Sequence, residues 1–338
     1  MDTIARLPVG DRRALFTETA ARAGITSIIA EKDFWVCWTL SRLYTIEGMP
    51  RLLFKGGTSL SKCFRLIERF SEDLDLGLHR DDIGLSGDRT PSPDKGSSSQ
   101  KKARKHLRVG TQEYVAARFV PMVRGDFEEA LAEPFDLRLA TEDADSVVDF
   151  HYPRTLAGSA YGIGSYVAPS VRMEIGARSD HYPTEHVEVM SYASTHFPGA
   201  FAKAACRVVA QAPERTLLEK ALILHTDIAR GKVTRRSSRH AYDLVMMRRA
   251  GTMMKVTREL FEQVALHKRV FSDDRHAGLA PERGIRMVPA GELQRELESD
   301  YRSMNEMFFR EPPAFEDIIG ELHALESAIN DLPRRTAG

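Results

Sequence analysis

The chain has 338 residues, and its 48 Lys and Arg residues are matched by 48 Asp and Glu residues, so the formal net charge is zero. Its 42% hydrophobic and 28% charged residues are typical of an ordinary globular protein, which excludes a disordered tail protein, a collagen-like fibre and a membrane protein. The length allows two domains of usual size. The charge balance argues against a nucleic-acid partner only as a sum, because it does not say where the charges lie.

The cysteines and the N-terminus indicate where the protein works. The three cysteines, Cys37, Cys63 and Cys206, are odd in number and far apart, so their spacing gives neither a disulfide framework nor a zinc site. Residues 1–7 lack the apolar core of a signal peptide, and no apolar run approaches the roughly 20 residues of a membrane span. We therefore predict a cytoplasmic protein without membrane contact.

The chain begins with a predicted helix, a strand and a second helix. Apolar residues recur at helical spacing within 11–47, and 51–54 form a short buried strand. The Gly56-Gly57 pair ends that strand, and Thr58 or Ser59 can cap the next helix. This helix is expected to carry one apolar stripe: Leu60, Cys63, Phe64 and Ile67.

Alternating and turn-rich segments follow. Residues 73–78 alternate with period two and predict a strand, 84–99 predict a loop, and the basic run 101–108 opens a helix. Further strands are predicted at 135–139, 146–150, 171–175 and 186–190. From Pro213 onward the pattern is helical. We therefore predict an α+β domain at 1–200 and a helical domain at 201–338.

Two aspartates on the predicted strand 73–78 suggest a metal site. Side chains alternate along a strand, so Asp73 and Asp75 point to the same side, and Ser71 joins them if the strand starts early enough. Neighbouring carboxylates repel each other, and a divalent cation relieves that repulsion. Mg²⁺ suits such an oxygen pair, usually together with phosphate oxygens.

The Gly56-Gly57 turn supplies a complementary anion site. A turn at a helix N-terminus exposes backbone N–H groups that favour a phosphate, and Lys55 can add a point charge. The segment is not a Walker A loop, because it lacks the glycine before its lysine. Either motif alone is weak, whereas both together in one strand–turn–helix–strand unit indicate nucleotide chemistry.

These residues resemble a known family. Lys55-Gly56-Gly57-Thr58 and the segment 69–75 are similar to motifs of the AbiEii/AbiGii-type nucleotidyltransferase toxins, which include the MenT toxins, within the polymerase-beta-like nucleotidyltransferase superfamily. The resemblance spans about 25–330 and implies a polymerase-beta-like core with a mixed sheet, followed by a helical C-terminal domain that completes the active site. The other segments that carry it are 31–35, 216–220, 239–244, 304–309 and 313–315.

The resemblance also implies roles for individual residues. The catalytic residues would be Asp73, Asp75, Lys220 and Asp243, and the first two would hold Mg²⁺. Glu174 is the candidate for a third carboxylate, because it alternates with the apolar residues of its strand. The nucleotide-binding residues would be Lys55, Gly56, Gly57, Thr58 and Ser71.

The residues alone say less about the helical part. Lys220 lies off the apolar stripe of its helix, so it can reach a groove or solvent, and a local hydrogen bond to His240 could explain Asp243. The surrounding charge is more informative, because Asp243 is the only acidic residue within 230–249. The basic residues there are Arg230, Lys232, Arg235, Arg236, Arg239, Arg248 and Arg249. This patch and the run 101–108 predict contact with a polyanion, for which the resemblance suggests tRNA.

The predicted function is that of a toxin in a toxin–antitoxin system. It would be a Mg²⁺-dependent nucleotidyltransferase that moves NMP from an NTP to the 3′ end of tRNA and blocks translation, with a cognate antitoxin as partner. One alternative is transfer to a protein or a small molecule, and another is a non-catalytic NTP-binding module. A helix-rich DNA-binding regulator leaves the Asp73/Asp75 pair unexplained.

Overall fold

A computed structural model describes residues 1–142, 145–156, 168–234 and 236–333 of the chain. These residues form two compact units that interleave along the sequence. The first comprises Met1–Cys63, Phe70–Thr90 and Lys105–Gln211, and the second comprises Phe64–Arg69, Pro91–Arg104 and Ala212–Gly338. The predicted domains, 1–200 and 201–338, are continuous in sequence and stay a prediction.

The first unit contains a sheet for which the described residues supply seven strands. They are β1 (Leu52–Lys55), β2 (Leu74–Leu78), β3 (Asp136–Glu142), β4 (Asp145–His151), β5 (Val171–Gly176), β6 (Thr184–Met190) and β7 (Ala205–Gln211). Their order is β3-β4-β5-β2-β1-β7-β6. The β1–β7 and β2–β5 pairs are parallel and the other pairs antiparallel, so the predicted α+β class with a mixed sheet is confirmed.

Strand β7 was not among the predicted strands. It pairs with β1 through Phe54 and Ala210 and with the whole of β6. Its buried residues Cys206, Val208 and Ala210 alternate with more exposed ones, which is the period of a strand. With seven residues it is as long as β3, β4 and β6, and its alternation could have been found in the sequence.

Helices of the first unit contribute side chains to a buried aromatic cluster. They are α1 (Asp2–Ala5), α2 (Val9–Ala23), α3 (Ser27–Leu43), α4 (Gly56–Lys62), α6 (Val120–Ala130) and α7 (Tyr192–His196), while α5 (Ser97–Tyr114) contributes to both units. Trp35 on α3 stacks on Tyr152 with ring centroids 5.4 Å apart, and Trp38 stacks on Phe150 at 5.7 Å. The cluster fixes α3 against the sheet.

The stretch predicted to be helical, 11–47, contains two helices, α2 and α3. Gly24 adopts φ +67° and ends α2, because glycine takes this left-handed conformation without steric cost. The Thr26 hydroxyl then accepts a hydrogen bond from the Ile29 N–H at 3.3 Å and caps α3.

Helix α4 also differs from its prediction. It ends at Lys62, and Arg65 takes φ +53°, so the expected apolar stripe reaching Ile67 is wrong. The expected caps are wrong as well, because Lys55 occupies the cap position while Thr58 and Ser59 are buried inside the helix. The short helix places its first turn directly after β1.

The second unit is helical, as predicted from Pro213 onward. Its helices are α8 (Pro213–Ala229), α9 (Ser238–Arg249), α10 (Arg258–Ser272), α11 (Arg275–Arg283), α12 (Glu292–Arg302) and α13 (Phe315–Asn330). Short 3₁₀ turns at Arg80–Ile83, Pro198–Ala200, Thr252–Lys255 and Asn305–Met307 and a π-helix at Val115–Phe119 complete the helical elements described in the two units. Within the described ranges, each helix is too short or too polar to cross a bilayer.

Candidate active site

The central strands of the first unit bring together the predicted charged residues. In the β1–β2 register Lys55 lies opposite Asp75, and in the β2–β5 register Asp75 lies opposite Glu174. Directly opposed residues point to the same face of a sheet. Lys55, Asp75 and Glu174 therefore form a row across three strands, with Asp73 immediately before β2.

Gly56 is required at the edge of this row. It adopts φ +79°, and a Cβ atom placed on it would lie 1.8 Å from Oδ2 of Asp75. The Asp75 carboxylate thus rests against the Gly56 backbone, and a side chain would collide with it. The predicted glycine turn is therefore in direct contact with the predicted metal-binding carboxylate.

Thr58 holds the segment that precedes β2. Its hydroxyl donates to the Asp73 carbonyl oxygen at 2.6 Å and lies 3.0 Å from the Ser71 hydroxyl. Thr58 is fully buried, whereas Ser71 and Asp73 are partly exposed. Thr58, predicted to bind nucleotide, acts here by positioning its neighbours.

The electrostatics of the row suit a cation. Burial raises the pKa of the Glu174 carboxyl, and the charges of Asp75 and Asp73 raise it further, while Arg172 opposes them from 3.3 Å. Among the residues described, no three His, Cys, Asp or Glu side chains are placed to hold one ion. The donor set fits Mg²⁺ held by one or two carboxylates together with phosphate oxygens and water. Glu174 as a third ligand stays a prediction.

Three consecutive charged residues of α3 lie next to the segments that carry the site, and the sequence alone predicts no role for them. Glu31, Lys32 and Asp33 are almost completely buried. Lys32 Nζ lies 2.6 Å from Glu72 Oε2, and it also donates to the Ala168 carbonyl at 2.8 Å. Glu72 stands between Ser71 and Asp73, so this ion pair anchors the carboxylate segment.

Asp33 anchors the other side of the site. Its carboxylate pairs with Lys62, the last residue of α4, and accepts a hydrogen bond from the Tyr192 N–H at 2.6 Å. Burial raises the pKa of the Asp33 carboxyl, and Lys62 opposes that rise. The signal in the sequence was three adjacent charges inside an otherwise apolar helix.

The second unit brings Lys220 and Asp243 together. Arg69 binds Asp243 with both ends of its guanidinium, Nε to Oδ1 and Nη2 to Oδ2, each at 2.8 Å, and Lys220 Nζ lies 3.0 Å from Oδ2. All three are buried, so Lys220 does not extend freely into solvent, while its access to a groove stays a prediction. Burial would raise the pKa of the Asp243 carboxyl, but Arg69 and Lys220 outweigh it and hold that pKa far below its usual range.

His240 contacts the lysine of this group. Its Nδ1 lies 3.5 Å from Lys220 Nζ, whereas the expected explanation of Asp243 was a local bond to His240. Burial lowers the pKa of His240, and the charge of Lys220 lowers it further, so the imidazole is neutral. The charge of the buried Asp243 carboxylate is instead balanced by Arg69 and Lys220.

Arg69 is a functional candidate that the sequence reasoning missed. It lies in the segment 69–75 that carries the family resemblance, and the sequence alone predicts no role for it. Its backbone forms a bridge with Phe308, and the N–H of the neighbouring Glu68 donates to the Tyr242 hydroxyl at 3.3 Å. The segment Phe64–Arg69 is therefore part of the second unit, a long-range contact that spacing alone does not reveal.

The predicted patch 230–249 is partly neutralised. Arg248 and Arg249 both pair with Glu321 on α13. The Asp300 carboxylate accepts the backbone N–H of Arg236 at 2.9 Å. Arg235, another member of the predicted patch, lies outside the described residues.

The run 101–108 keeps more of its charge at the surface. Lys101, Lys102 and Lys105 are exposed. Arg104 is engaged by Asp273 at 3.1 Å and donates to a backbone carbonyl of α10. Neither predicted patch is tested by these contacts as a polyanion site.

Comparison with known proteins identifies the family. The family described as "Nucleotidyl transferase AbiEii toxin, Type IV TA system" matches residues 38–321. No curated protein matches the chain. Among solved structures, MenT4, a nucleotidyltransferase toxin from Mycobacterium tuberculosis H37Rv, is 17% identical with a TM-score of 0.47, covering 95% of this chain and 90% of that one. JHP933 from Helicobacter pylori is 14% identical with a TM-score of 0.40, covering 89% and 91%.

The family match decides the class of the protein. The two structural likenesses are too distant to transfer a residue role, so the assignment depends on the match along most of the chain. The class is that of the nucleotidyltransferase toxins of toxin–antitoxin systems. The chain belongs to the AbiEii family, and the predicted resemblance is confirmed. Membership supports transferase activity with an NTP substrate and implies an antitoxin partner.

Proposed function

We propose that this toxin transfers NMP from an NTP to the 3′ end of tRNA in a Mg²⁺-dependent reaction and thereby blocks translation. The observation that carries the proposal is the row Lys55, Asp75 and Glu174 beside Gly56, with Asp73 next to it. Carboxylates beside a cation and a glycine turn are suited to binding a triphosphate with its metal ion. The family supplies the toxin and transferase classes, and tRNA as the acceptor is our proposal.

Different residues of the first unit would bind the phosphates and the metal ion. Backbone N–H groups of Gly56 and Gly57 and the ammonium of Lys55 would bind phosphate oxygens, with Ser71 beside them. Asp73 and Asp75 would hold Mg²⁺. When bound, Mg²⁺ would neutralise charge on the transferring phosphoryl group and lower the pKa of the attacking hydroxyl.

The proposed reaction is an in-line displacement. The terminal hydroxyl of the acceptor gives up its proton to solvent and its oxygen forms a bond to the α-phosphorus. The bond between that phosphorus and the α–β bridging oxygen breaks, and pyrophosphate leaves. No covalent enzyme intermediate is needed, so the chain contributes positioning and charge stabilisation. Lys220 and Asp243 are proposed as further catalytic residues because they match the later lysine and aspartate motifs of the family.

Labelled nucleotides test the proposal directly. The purified protein is incubated with each labelled NTP and with total tRNA, lysate proteins or aminoglycosides, with and without Mg²⁺. Label on tRNA with pyrophosphate release is expected, and Asp73→Asn and Asp75→Asn should abolish it. Asp81→Asn is the control, because Asp81 is an exposed aspartate near the same strand.

Each other outcome points to a different function. Label on protein or on the drug, with none on tRNA, would refute the proposed acceptor but keep the transferase. NTP binding without pyrophosphate release would indicate a non-catalytic module. Full activity of Asp73→Asn and Asp75→Asn would exclude the carboxylate row as the site. The antitoxin partner is tested by neutralisation of toxicity on co-expression, and the cytoplasmic location stays a prediction.

A further inference from the structure

Two adjoining cavities of the second unit have basic walls. The larger, about 480 Å³, is lined by the end of α10, the start of α11 and the start of α5, and the smaller, about 380 Å³, lies along α8 and α11. They share Leu279. The cations that line the larger cavity are Lys95, Lys101, Arg104, Arg269 and Arg275. Arg283 and Arg286 line the smaller one.

The negative charge on these walls is small. Asp273 is the single carboxylate among the described residues that line the two cavities, and it pairs with Arg104 at 3.1 Å. The predicted patch 230–249 differs, because Glu321 neutralises two of its arginines. The walls of the two cavities thus combine the start of the predicted run 101–108 with single cations from α10, α11 and the segment after α11.

Five of these cations are exposed, and they define what we call the α10–α11 basic surface: Lys101, Arg269, Arg275, Arg283 and Arg286. Within the described part of the chain, no Asp or Glu side chain lies within ion-pairing distance of any of the five. They can therefore exchange their counterions for an anionic ligand without first breaking an ion pair of the protein.

Rigid elements carry this surface. Helices α10 and α11 are joined through Asp273, at φ +57°, and Asp274, whose carboxylate caps α11 by accepting from the Ala277 N–H at 3.1 Å. Gly278 lets the helices approach closely, because a Cβ on it would lie 2.7 Å from Arg269 Cβ. The arginines are thus held on packed helices instead of on a loop, which favours a defined binding geometry.

We propose that the α10–α11 basic surface binds the phosphate backbone of the acceptor RNA. Two joined cavities with cations along both suit a ligand with many regularly spaced negative charges, whereas a single small anion would engage only part of the surface. Four of the five cations are arginines, whose planar guanidinium groups match phosphate oxygens in pairs. Leu266, 45% exposed at the larger cavity, offers an apolar contact beside them.

This inference deepens the proposed function and rests on RNA being the acceptor. A surface that neutralises about five phosphates gives a salt dependence of log K against log salt of roughly −3.5 to −4.5. Losing three of the contacts should reduce that slope by about 2 to 3. The slope therefore reports the number of phosphate contacts independently of catalysis.

The test compares two triple variants of the full chain, both made in an Asp73→Asn background so that no transfer occurs. The surface variant carries Arg269→Glu, Arg275→Glu and Arg283→Glu. The control carries Arg89→Glu, Arg118→Glu and Arg154→Glu, which are exposed arginines of the first unit and make the same change in net charge. Binding of labelled total tRNA is measured by fluorescence anisotropy between 50 and 200 mM salt, on the order of the range where such contacts respond.

The surface variant should bind tRNA at least about tenfold more weakly, with the reduced slope, and the control should stay within about threefold of the parent. If both triples weaken binding equally, net charge alone is responsible and the proposal is wrong. Poly-glutamate is the second probe. A loss of poly-glutamate binding with tRNA binding unchanged would assign the surface to an acidic protein and overturn the proposal.

Folding and function are separated by two further measurements. Circular dichroism and thermal unfolding check each triple, and a Gln triple at the same positions replaces the Glu triple if the latter does not fold. RNA binding through the surface without any transfer to RNA by the wild-type protein would refute the proposed function alone. Transfer to tRNA by the wild type, with unchanged tRNA binding by the surface triple, would refute this inference alone.

Discussion

The buried group around Asp243 allows stability and catalysis to be separated. It contains one carboxylate and two cations, and Arg69 and Lys220 are only 3% and 8% exposed. Asp243→Asn leaves two buried cations without a counter-charge, and breaking a buried pair in this way costs about 3–5 kcal/mol. Lys220→Met leaves the two-bond pair between Arg69 and Asp243 intact and replaces the lysine stem with an apolar one, so we expect a loss of about 1 kcal/mol or less.

The two variants should therefore unfold very differently. At roughly 2–4 °C per kcal/mol, Asp243→Asn should lower the melting temperature by about 6 °C or more, and Lys220→Met by only a few degrees. Thermal unfolding and urea titration measure these changes, and NTP transfer is assayed on the same samples. Lys203→Met, at an exposed lysine of the first unit outside both predicted basic patches, is the control.

The transfer assay then decides the role of Lys220. If Lys220 is catalytic, Lys220→Met should be folded and inactive, with Lys203→Met active. A folded and fully active Lys220→Met would refute the catalytic role. Equal destabilisation by Lys220→Met and Asp243→Asn would refute the expectation that Arg69 alone suffices to pair with Asp243.

Three further predictions concern the first unit. Gly56→Ala should reduce transfer by about 100-fold, because its Cβ would displace the Asp75 carboxylate. Gly84→Ala is the control, since Gly84 also has a positive φ but faces open space, and it should leave transfer unchanged. Kinetic assays of both variants check this. Mg²⁺ should raise the melting temperature of the wild type and not that of Asp75→Asn, as measured by thermal shift. Burial and the charge of His79 lower the pKa of His181 to about 4 from an ordinary value near 6.5. The unfolded chain therefore takes up this proton first, and stability should fall as the pH falls from 6.5 to about 4, less steeply in His181→Gln, as urea titrations across that range would show.

The strand–turn–helix–strand centre could be predicted because its signals are local. The alternation from Asp73 to Leu78 and the break at Gly56-Gly57 need only neighbouring residues, and the structure places both as expected. The length of α4 could not be predicted, because the apolar stripe reaching Ile67 is compatible with a longer helix. The chain leaves that helix at Cys63 and joins the second unit, which is a tertiary effect.

Contacts across long sequence separations account for the remaining misses. Lys220 looked solvated on its helix because its partner Asp243, which also binds Arg69, comes from another element. Consecutive charged residues are unusual inside an apolar helix, so those of α3 are visible in the sequence. Their partners Glu72 and Lys62 lie far away along the chain and could not be predicted from residue spacing. Buried charges of this kind require partners, so a search for them is a useful guide to hidden site residues.

Two sets of charges in this protein should respond differently to salt. Lys32 and Asp33 are buried, so dissolved ions screen their pairs with Glu72 and Lys62 much less than they screen exposed charges. The cations of the α10–α11 basic surface are in contact with solvent and are screened. If RNA is the acceptor, as proposed, rising salt should raise the apparent KM for RNA more than it changes the turnover of bound substrate, so ionic strength would act mainly on capture of the acceptor.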